Sequence, residues 1–130
     1  MPTLAAQLTA LTANLLFLSE SEAALTVVKL PKNAILPDAL REAAHLPPDA
    51  LAEELPLADV LGPFAQAPEG ADQTAVLDAA RYQALLDFLT TRLQRPVAYR
   101  LGADAKKALF FVGRQANRTW LGVQTEVVET

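Results

Sequence analysis

The 130-residue sequence contains no cysteine, one histidine and five glycines, and these shortages exclude several kinds of site. Without cysteine there can be no disulfide framework, no thiolate metal site and no cysteine nucleophile. The single histidine, His45, has no second histidine with which to share a metal, so we interpret it as a neutral surface side chain. The sequence also lacks a glycine-rich phosphate loop, an H-E-x-x-H motif and a G-x-S-x-G motif. The residues therefore show no recognisable active site, and we expect no catalytic residue and no cofactor.

Targeting and membrane-spanning segments are also missing from the sequence. The N-terminal residues contain no basic region, and polar side chains interrupt the apolar ones. No apolar run approaches the roughly 20 residues that a helix needs to span a bilayer. With 52% apolar and 20% charged residues, the composition is typical of a folded globular protein. We expect a soluble, cytoplasmic monomer with one domain over residues 1–130.

Charge is distributed unevenly along the chain. Residues 1–91 contain 12 of the 15 acidic residues but only 4 of the 11 basic ones. Residues 92–118 contain the other 7 basic residues and a single acid, Asp104. Such a split is found in proteins that present a charged docking face, and it also arises when helices and strands differ in composition.

Apolar spacing and proline positions predict the helices. A first helix, from about residue 3 to 17 with Thr3 as its N-cap, is predicted by leucines at helical spacing: Leu4, Leu8, Leu11 and Leu15. Seven of the nine prolines lie between residues 31 and 73, so only short helices fit there, near 37–45 and 57–66. The longest periodic segment predicts a helix over residues 74–95 that Pro96 ends. The predicted buried side of this helix consists of Leu77, Ala80, Ala84, Leu85, Phe88 and Leu89.

Four segments have the composition of strands. The run LTVVKL (25–30) is rich in β-branched residues, and three further runs over 97–101, 108–113 and 119–128 are joined by short polar turns. Those short connections predict an antiparallel meander. The run from Ala108 to Val112 is apolar at every position, which indicates a central strand covered on both faces. We therefore predict an α/β (α+β) protein, a three-layer α/β/α sandwich with a mostly antiparallel sheet of about four strands.

The stretch LLFLSESE (15–22) changes abruptly from apolar to acidic. Glu20 and Glu22 share one face only if the backbone is extended, and no nearby apolar pocket would separate their pKa values. A catalytic acid and base pair is therefore disfavoured. A solvated turn after the first helix and a pair of carboxylates presented to a partner both fit the pattern.

A second group of oxygen atoms lies at the end of the sequence. The last predicted strand reaches almost to Thr130, so the Glu129 carboxylate, the Thr130 hydroxyl and the terminal carboxylate would lie close together. Such hard oxygen ligands suit Mg²⁺ or Ca²⁺. One local cluster is too small for a metal site of its own, but these groups could complete the coordination of a metal in another protein.

Basic and aromatic residues alternate in the predicted meander, as they do in proteins that bind single-stranded nucleic acid. Phe110 and Phe111 are adjacent, however, so at least one of them must point into the core. The net charge of the chain is −4, which also opposes binding to a polyanion. We therefore favour ordinary sheet packing and expect no direct contact with nucleic acid.

Three blocks of the sequence are similar to the nuclease A inhibitor family, whose members block a sugar-nonspecific DNA/RNA nuclease. They are LLFLSESE (15–22), YQALLDFLTTRLQRPVAYRLG (82–102) and LGVQTEVVET (121–130). The blocks occur in the family's order and with similar separations, whereas residues 31–73 show little similarity. The resemblance implies a compact α/β/α sandwich without enzymatic activity that occupies the active site of a metal-dependent nuclease.

The resemblance also implies which residues bind the nuclease. Glu20 matches a family glutamate that faces a basic residue of the nuclease, and Thr130 matches a C-terminal threonine that reaches the catalytic Mg²⁺. Glu69 matches an acidic residue of the contact loop, but the family tryptophan that follows it is Gly70 here. We expect no metal site in the protein itself, and the partner-binding residues to be Glu20, Glu22, Glu69, Glu129 and Thr130. The alternative is a non-inhibitory regulatory module of the same fold that binds a different protein.

Overall fold

The computed structural model describes residues 3–129. Within this range the helices are α1 (Leu4–Thr12), α2 (Asp38–Ala43), α3 (Leu57–Leu61) and α4 (Gln73–Arg92), with a 3-10 helix at Gly62–Ala65. The strands are β1 (Leu16–Leu18), β2 (Glu22–Ala24), β3 (Thr26–Leu30), β4 (Ala52–Leu55), β5 (Gln94–Leu101), β6 (Lys106–Arg114) and β7 (Trp120–Val128).

The main sheet has five strands, in the order β3-β7-β6-β5-β4, and each neighbouring pair is antiparallel. The predicted meander of β5, β6 and β7 is confirmed, but the prediction of about four strands is wrong by one. The additional strand is β4, whose sequence AEEL contains no β-branched or aromatic residue. It lies at the edge of the sheet, where charged side chains are tolerated because only one side of the strand is paired.

Two apolar clusters lie against opposite faces of the main sheet. In the central strand β6, Phe110 and Phe111 are both fully buried, and alternation along the strand points them to opposite faces. Phe111 belongs to the larger cluster, together with side chains of α1, α3 and α4. Phe110 belongs to the smaller cluster, to which α2 contributes Leu40. The central position of this strand is confirmed, whereas the three-layer arrangement of the molecule stays a prediction.

The first helix ends at Thr12, about five residues earlier than predicted. Its beginning is as expected, because the Thr3 hydroxyl accepts a hydrogen bond from the Ala6 N–H at 3.0 Å. The backbone leaves the helix at Ala13, with a ψ of 123°, and Asn14 follows with a φ of 61°, a left-handed conformation that asparagine tolerates. Leu15 is still buried, but it reaches the core from the connection that follows the helix. The next residues therefore form a strand instead of a last helical turn.

The long helix α4 is confirmed, although its end and its buried face differ from the prediction. It begins at an N-cap, Asp72, whose carboxylate accepts a hydrogen bond from the Ala75 N–H at 2.8 Å. It ends at Arg92, so Arg95 lies in β5, with a φ of 52°. Leu77 was predicted on the buried side, but 57% of its surface is exposed. The buried positions are Ala79, Tyr82, Leu85, Phe88 and Leu89.

Tyr82 connects α4 to β1. We expect its hydroxyl to make the free energy of unfolding decrease as the pH rises above about 10. The hydroxyl donates to the Leu16 carbonyl oxygen at 2.5 Å. Burial, assisted by the charge of Asp78, raises the pKa of Tyr82 well above its usual range. An unfolded tyrosine ionises near pH 10 whereas Tyr82 in the folded protein does not, so its contribution is present below about pH 10 and is lost as the pH rises.

The variant Tyr82→Phe isolates this contribution. At pH 8 we expect the free energy of unfolding to fall by about 1 kcal/mol, because one intramolecular hydrogen bond is lost. At pH 11 the difference between the two proteins should shrink by about 1 kcal/mol, because only the wild type carries the titrating hydroxyl. Urea unfolding at both pH values measures the difference. An equal difference at pH 8 and pH 11 would contradict the prediction.

Candidate functional site

The S-E-S-E segment lies at the tip of a β-hairpin. Strands β1 and β2 pair antiparallel, with Leu18 opposite Glu22. Between them the Ser19 N–H donates to the Ser21 carbonyl oxygen at 2.9 Å and closes the turn. Glu20, at the tip, and Glu22, at the start of β2, are both exposed. The abrupt change from apolar to acidic residues therefore marks the end of strand β1, not the end of a helix.

Phe17 anchors this hairpin to the rest of the protein. Its ring is buried, with its centroid 4.6 Å from that of Phe64 and 6.1 Å from that of Phe111. The neighbouring side chains of Leu16 and Leu18 point the other way and are 42% and 52% exposed. One face of the hairpin thus packs on the core, while the other face presents two leucines beside the acidic tip.

A hydrogen bond joins the hairpin tip to the last strand. The backbone N–H of Val128 donates to the Ser19 hydroxyl oxygen at 3.0 Å. Ser19 directly precedes Glu20, and Val128 directly precedes Glu129. The structure therefore places Glu20 and the end of β7 at the same edge of the molecule, although they are far apart in sequence. Thr130 lies outside the described residues.

Two cations contact the Glu129 carboxylate. Its Oε1 atom accepts a hydrogen bond from Nη1 of Arg100 at 2.8 Å, and its Oε2 atom lies 3.8 Å from Nζ of Lys107. Its backbone N–H donates to the Ala105 carbonyl oxygen at 2.8 Å. The Glu129 side chain is 38% exposed. Glu129 thus has intramolecular partners that the sequence did not predict, because the register between β5, β6 and β7 decides which cations it meets.

Arg100 also contacts a second carboxylate. The Nη2 group donates to Oε1 of Glu53, the residue directly opposite Arg100 in the pairing of β4 with β5. Burial by itself lowers the pKa of Arg100, but the hydrogen bonds and charges of Glu129 and Glu53 outweigh it and raise that pKa above its usual value. The guanidinium group therefore stays charged and links the edge strand to the end of β7. Arg100 and Glu53 are functional candidates that sequence reasoning missed.

Glu69 lies in an exposed turn before α4. The Ala71 N–H donates to the Pro68 carbonyl oxygen at 3.0 Å, and Gly70 has a φ of 78°. Glycine is favoured at this position because a side chain strains a left-handed backbone. A tryptophan in place of Gly70 would require that strained conformation, so the missing family residue agrees with the local geometry.

The turn that contains Glu69 connects two elements that pack on the hairpin. The 3-10 helix before it contributes Phe64, whose ring contacts Phe17 of β1. Helix α4 after it contributes Tyr82, which contacts both Phe64 and the carbonyl group of Leu16. These aromatic contacts fix the elements on both sides of the turn relative to the hairpin.

The basic residues of 92–118 fall into two groups. Arg100, Lys106 and Lys107 each form an ion pair with a carboxylate near the end of β7, and the Lys106 pair joins Nζ to Oε2 of Glu126 at 3.4 Å. The other four lie towards the opposite end of the strands, where Arg114 is in register with Gln94 and Trp120: Arg92, Arg95, Arg114 and Arg118. The positive charge of residues 92–118 is therefore partly neutralised at the edge of the molecule that contains the hairpin tip and the end of β7.

Two aromatic rings of the meander are not available to stack on a nucleic-acid base. Phe110 and Phe111 are both fully buried, so neither ring can stack on a base. Tyr99 and Trp120 are half-buried, and the Arg114 guanidinium lies 6.0 Å from the Trp120 ring centroid. Ordinary sheet packing therefore accounts for most of the aromatic residues of the meander.

No group of three or more histidine, aspartate or glutamate side chains is placed to hold a metal ion within residues 3–129. His45 is exposed. In the same part of the chain, no helix combines the length and the apolar character needed to cross a membrane. The prediction that Thr130 reaches the metal of a partner concerns a residue outside the described range and stays a prediction.

Comparison with known proteins assigns the family. A comparison with curated proteins finds no match. A comparison with protein-family profiles finds a match to the nuclease A inhibitor-like proteins over residues 2–130. The matched range includes the hairpin, the turn around Glu69 and the end of β7. The chain therefore belongs to the family of nuclease A inhibitor-like proteins.

Proposed function

We propose that this protein inhibits a metal-dependent, sugar-nonspecific endonuclease by occupying the active site of the nuclease. Membership in the family supports the role of nuclease inhibitor. The observation that carries the mechanism is the hydrogen bond from the Val128 N–H to the Ser19 hydroxyl oxygen. It gathers the acidic hairpin tip and the end of β7 on one edge, so a single surface can present both groups to one active site.

The proposed contact surface consists of Glu20, Glu22, Glu69, Glu129 and Thr130. A nuclease site holds phosphate with cationic side chains and a metal ion, so a protein that offers carboxylates in matching positions competes for the same positive field. Arginine side chains of the nuclease would form the strongest and most directional contacts with Glu20. The Thr130 hydroxyl would approach the Mg²⁺ of the nuclease, and the inhibitor would bring no metal of its own.

The proposal includes an architecture for the inhibitor. Residues 1–130 would form one domain, a three-layer α/β/α sandwich that acts as a cytoplasmic monomer and catalyses no reaction. The apolar clusters on both faces of the main sheet support this arrangement. A rigid sandwich would bind without reorganising, which lowers the entropic cost of complex formation.

A second candidate function is a regulatory module that retains the fold but binds a protein other than a nuclease. The observation in its favour is Gly70, because an aromatic anchor of the family surface is replaced by a residue with no side chain. In that case Leu16 and Leu18, which are exposed on the hairpin, would be the apolar part of a different interface. A pull-down from the source cell separates the two candidates, since only the first requires a nuclease among the captured proteins.

Titration against a panel of Mg²⁺-dependent endonucleases tests the proposed function. Plasmid cleavage by one sugar-nonspecific nuclease should fall linearly with added inhibitor and vanish at a stoichiometric ratio. Nucleases of unrelated folds in the same panel should be unaffected, which excludes removal of metal or binding to the DNA. Full activity of every sugar-nonspecific nuclease in the presence of excess protein would refute the proposal.

A further inference from the structure

We propose that Arg100 is a positioning residue that holds the end of β7 in the orientation needed for binding; this inference rests on the proposed function. Arg100 lies in β5, two strands away from β7 in the sheet. Neighbouring strands are about 4.8 Å apart, so only a long side chain can reach across β6 to Glu129. Its guanidinium group does so and bonds Oε1 of Glu129 at 2.8 Å.

The contacts of Glu129 fix both its side chain and its backbone. Arg100 binds one carboxylate oxygen, and Lys107 lies 3.8 Å from the other. The backbone N–H donates to the carbonyl group of Ala105 at 2.8 Å. A carboxylate with a cation at each oxygen has little freedom to rotate, and the backbone hydrogen bond holds the Glu129 amide in place.

The guanidinium group of Arg100 binds two carboxylates at once. The Nη1 group bonds Glu129 of the last strand, while the Nη2 group bonds Glu53 of the edge strand β4. A lysine has a single ammonium group and cannot reproduce this planar, two-sided arrangement. Arg100 is 30% exposed on its side chain, so salt screens these contacts less than it would screen a fully exposed pair.

The side chains that surround Glu129 form a network with no net charge. Its proposed role therefore differs from that of Glu20, which is to offer a negative charge to the nuclease. Two carboxylates, Glu53 and Glu129, face two cations, Arg100 and Lys107. The network therefore adds no net negative charge to the binding surface. The network contributes to binding by ordering the end of β7 in the free protein. Residues that are already fixed do not lose backbone entropy when the complex forms.

The variant Arg100→Met tests the proposal in two measurements, with Arg41→Met as the matched control. Arg41 is also half-buried and ion-paired, to Asp38 at 2.8 Å, but it lies on α2, which packs on the face of the main sheet opposite the hairpin. In the free protein, hydrogen exchange of the Glu129 amide should accelerate by at least about fivefold in Arg100→Met. The inhibition constant against a sugar-nonspecific, Mg²⁺-dependent nuclease should rise by about fivefold to tenfold, because binding must then order the end of β7. Arg41→Met should change both quantities by less than about twofold.

Two further variants distinguish positioning from a general loss of stability. Arg100→Lys should recover part of the amide protection and part of the inhibition, because one ion pair to Glu129 can still form. Glu53→Gln should leave both nearly unchanged, since the contact of Arg100 with Glu129 remains. Unchanged exchange of the Glu129 amide in Arg100→Met would overturn the proposal, as would a loss of inhibition matched by Arg41→Met. If the wild type inhibits no nuclease, the proposed function fails while the exchange measurement still decides the role of Arg100.

Discussion

Replacing Glu20 with lysine and deleting Thr130 in the same protein should weaken inhibition of the cognate nuclease by at least about a hundredfold. Glu20 lies at the hairpin tip and Thr130 follows Glu129 in the sequence, so the two changes would remove separate contacts of the proposed surface with the nuclease. Truncation of one partner in a desolvated charge contact typically costs about 2–5 kcal/mol, and each single change should therefore cost tenfold or more. Inhibition constants of the two single variants and the double variant, measured by plasmid cleavage, give the result.

The variant Glu42→Lys is the control for the effect of charge alone. Glu42 is exposed on α2, so this variant has the same change in net charge as Glu20→Lys at a position outside the proposed surface. It should slow association slightly at low salt and leave the dissociation rate unchanged. Thermal unfolding should show that all variants keep the fold. Inhibition by the double variant equal to that of the wild type would remove the mechanism.

The parts of the fold that the sequence predicts are those in which local pattern and burial agree. Helix α4 has a long apolar period, an acidic N-cap and a proline after its end, so its existence follows from local chemistry. Strand β6 is apolar at five consecutive positions, and only a central strand covered on both faces needs that composition.

The parts that the sequence does not predict depend on contacts between distant residues. Strand β4 has a composition unlike a strand and exists because β5 offers an unpaired edge. The sequence does not predict the hairpin of β1 and β2, because leucines with helical spacing continue past the end of α1 to Leu15. The helix ends because the backbone of Ala13 is not helical and Asn14 is left-handed, and single residues give little indication of such conformations.

The candidate site shows the same division. Glu20 was recognisable from its sequence block, but its proximity to the end of β7 is set by contacts between distant residues, among them the hydrogen bond between Ser19 and Val128. The pairing of Arg100 with Glu129 depends on the register of three strands, which short apolar runs do not determine. Residue types can therefore be predicted for such a surface, whereas the network that orients them cannot.

The substitution Gly122→Ala should destabilise the protein by at least about 3 kcal/mol, because β7 approaches β6 too closely for a side chain at this position. A Cβ atom on Gly122 would lie 2.0 Å from the Phe111 carbonyl oxygen and 2.6 Å from the Cα atom of Val112. Both atoms belong to the backbone of the central strand, so relief requires the two strands to separate. Denaturant unfolding measures the loss, and because β7 leads to Glu129, inhibition should decline with the folded fraction.

Gly62→Ala is the matched control for this substitution. Gly62 has helical backbone angles, with φ −52° and ψ −48°, and a Cβ atom there would meet no heavy atom within 4 Å. Alanine should therefore be neutral or should stabilise the protein by up to about 1 kcal/mol, since it reduces the freedom of the unfolded chain. Equal stability of the two alanine variants would mean that the spacing of β6 and β7 leaves room for a side chain at Gly122. The position of Glu129 relative to the hairpin depends on the same pair of strands and would then differ as well.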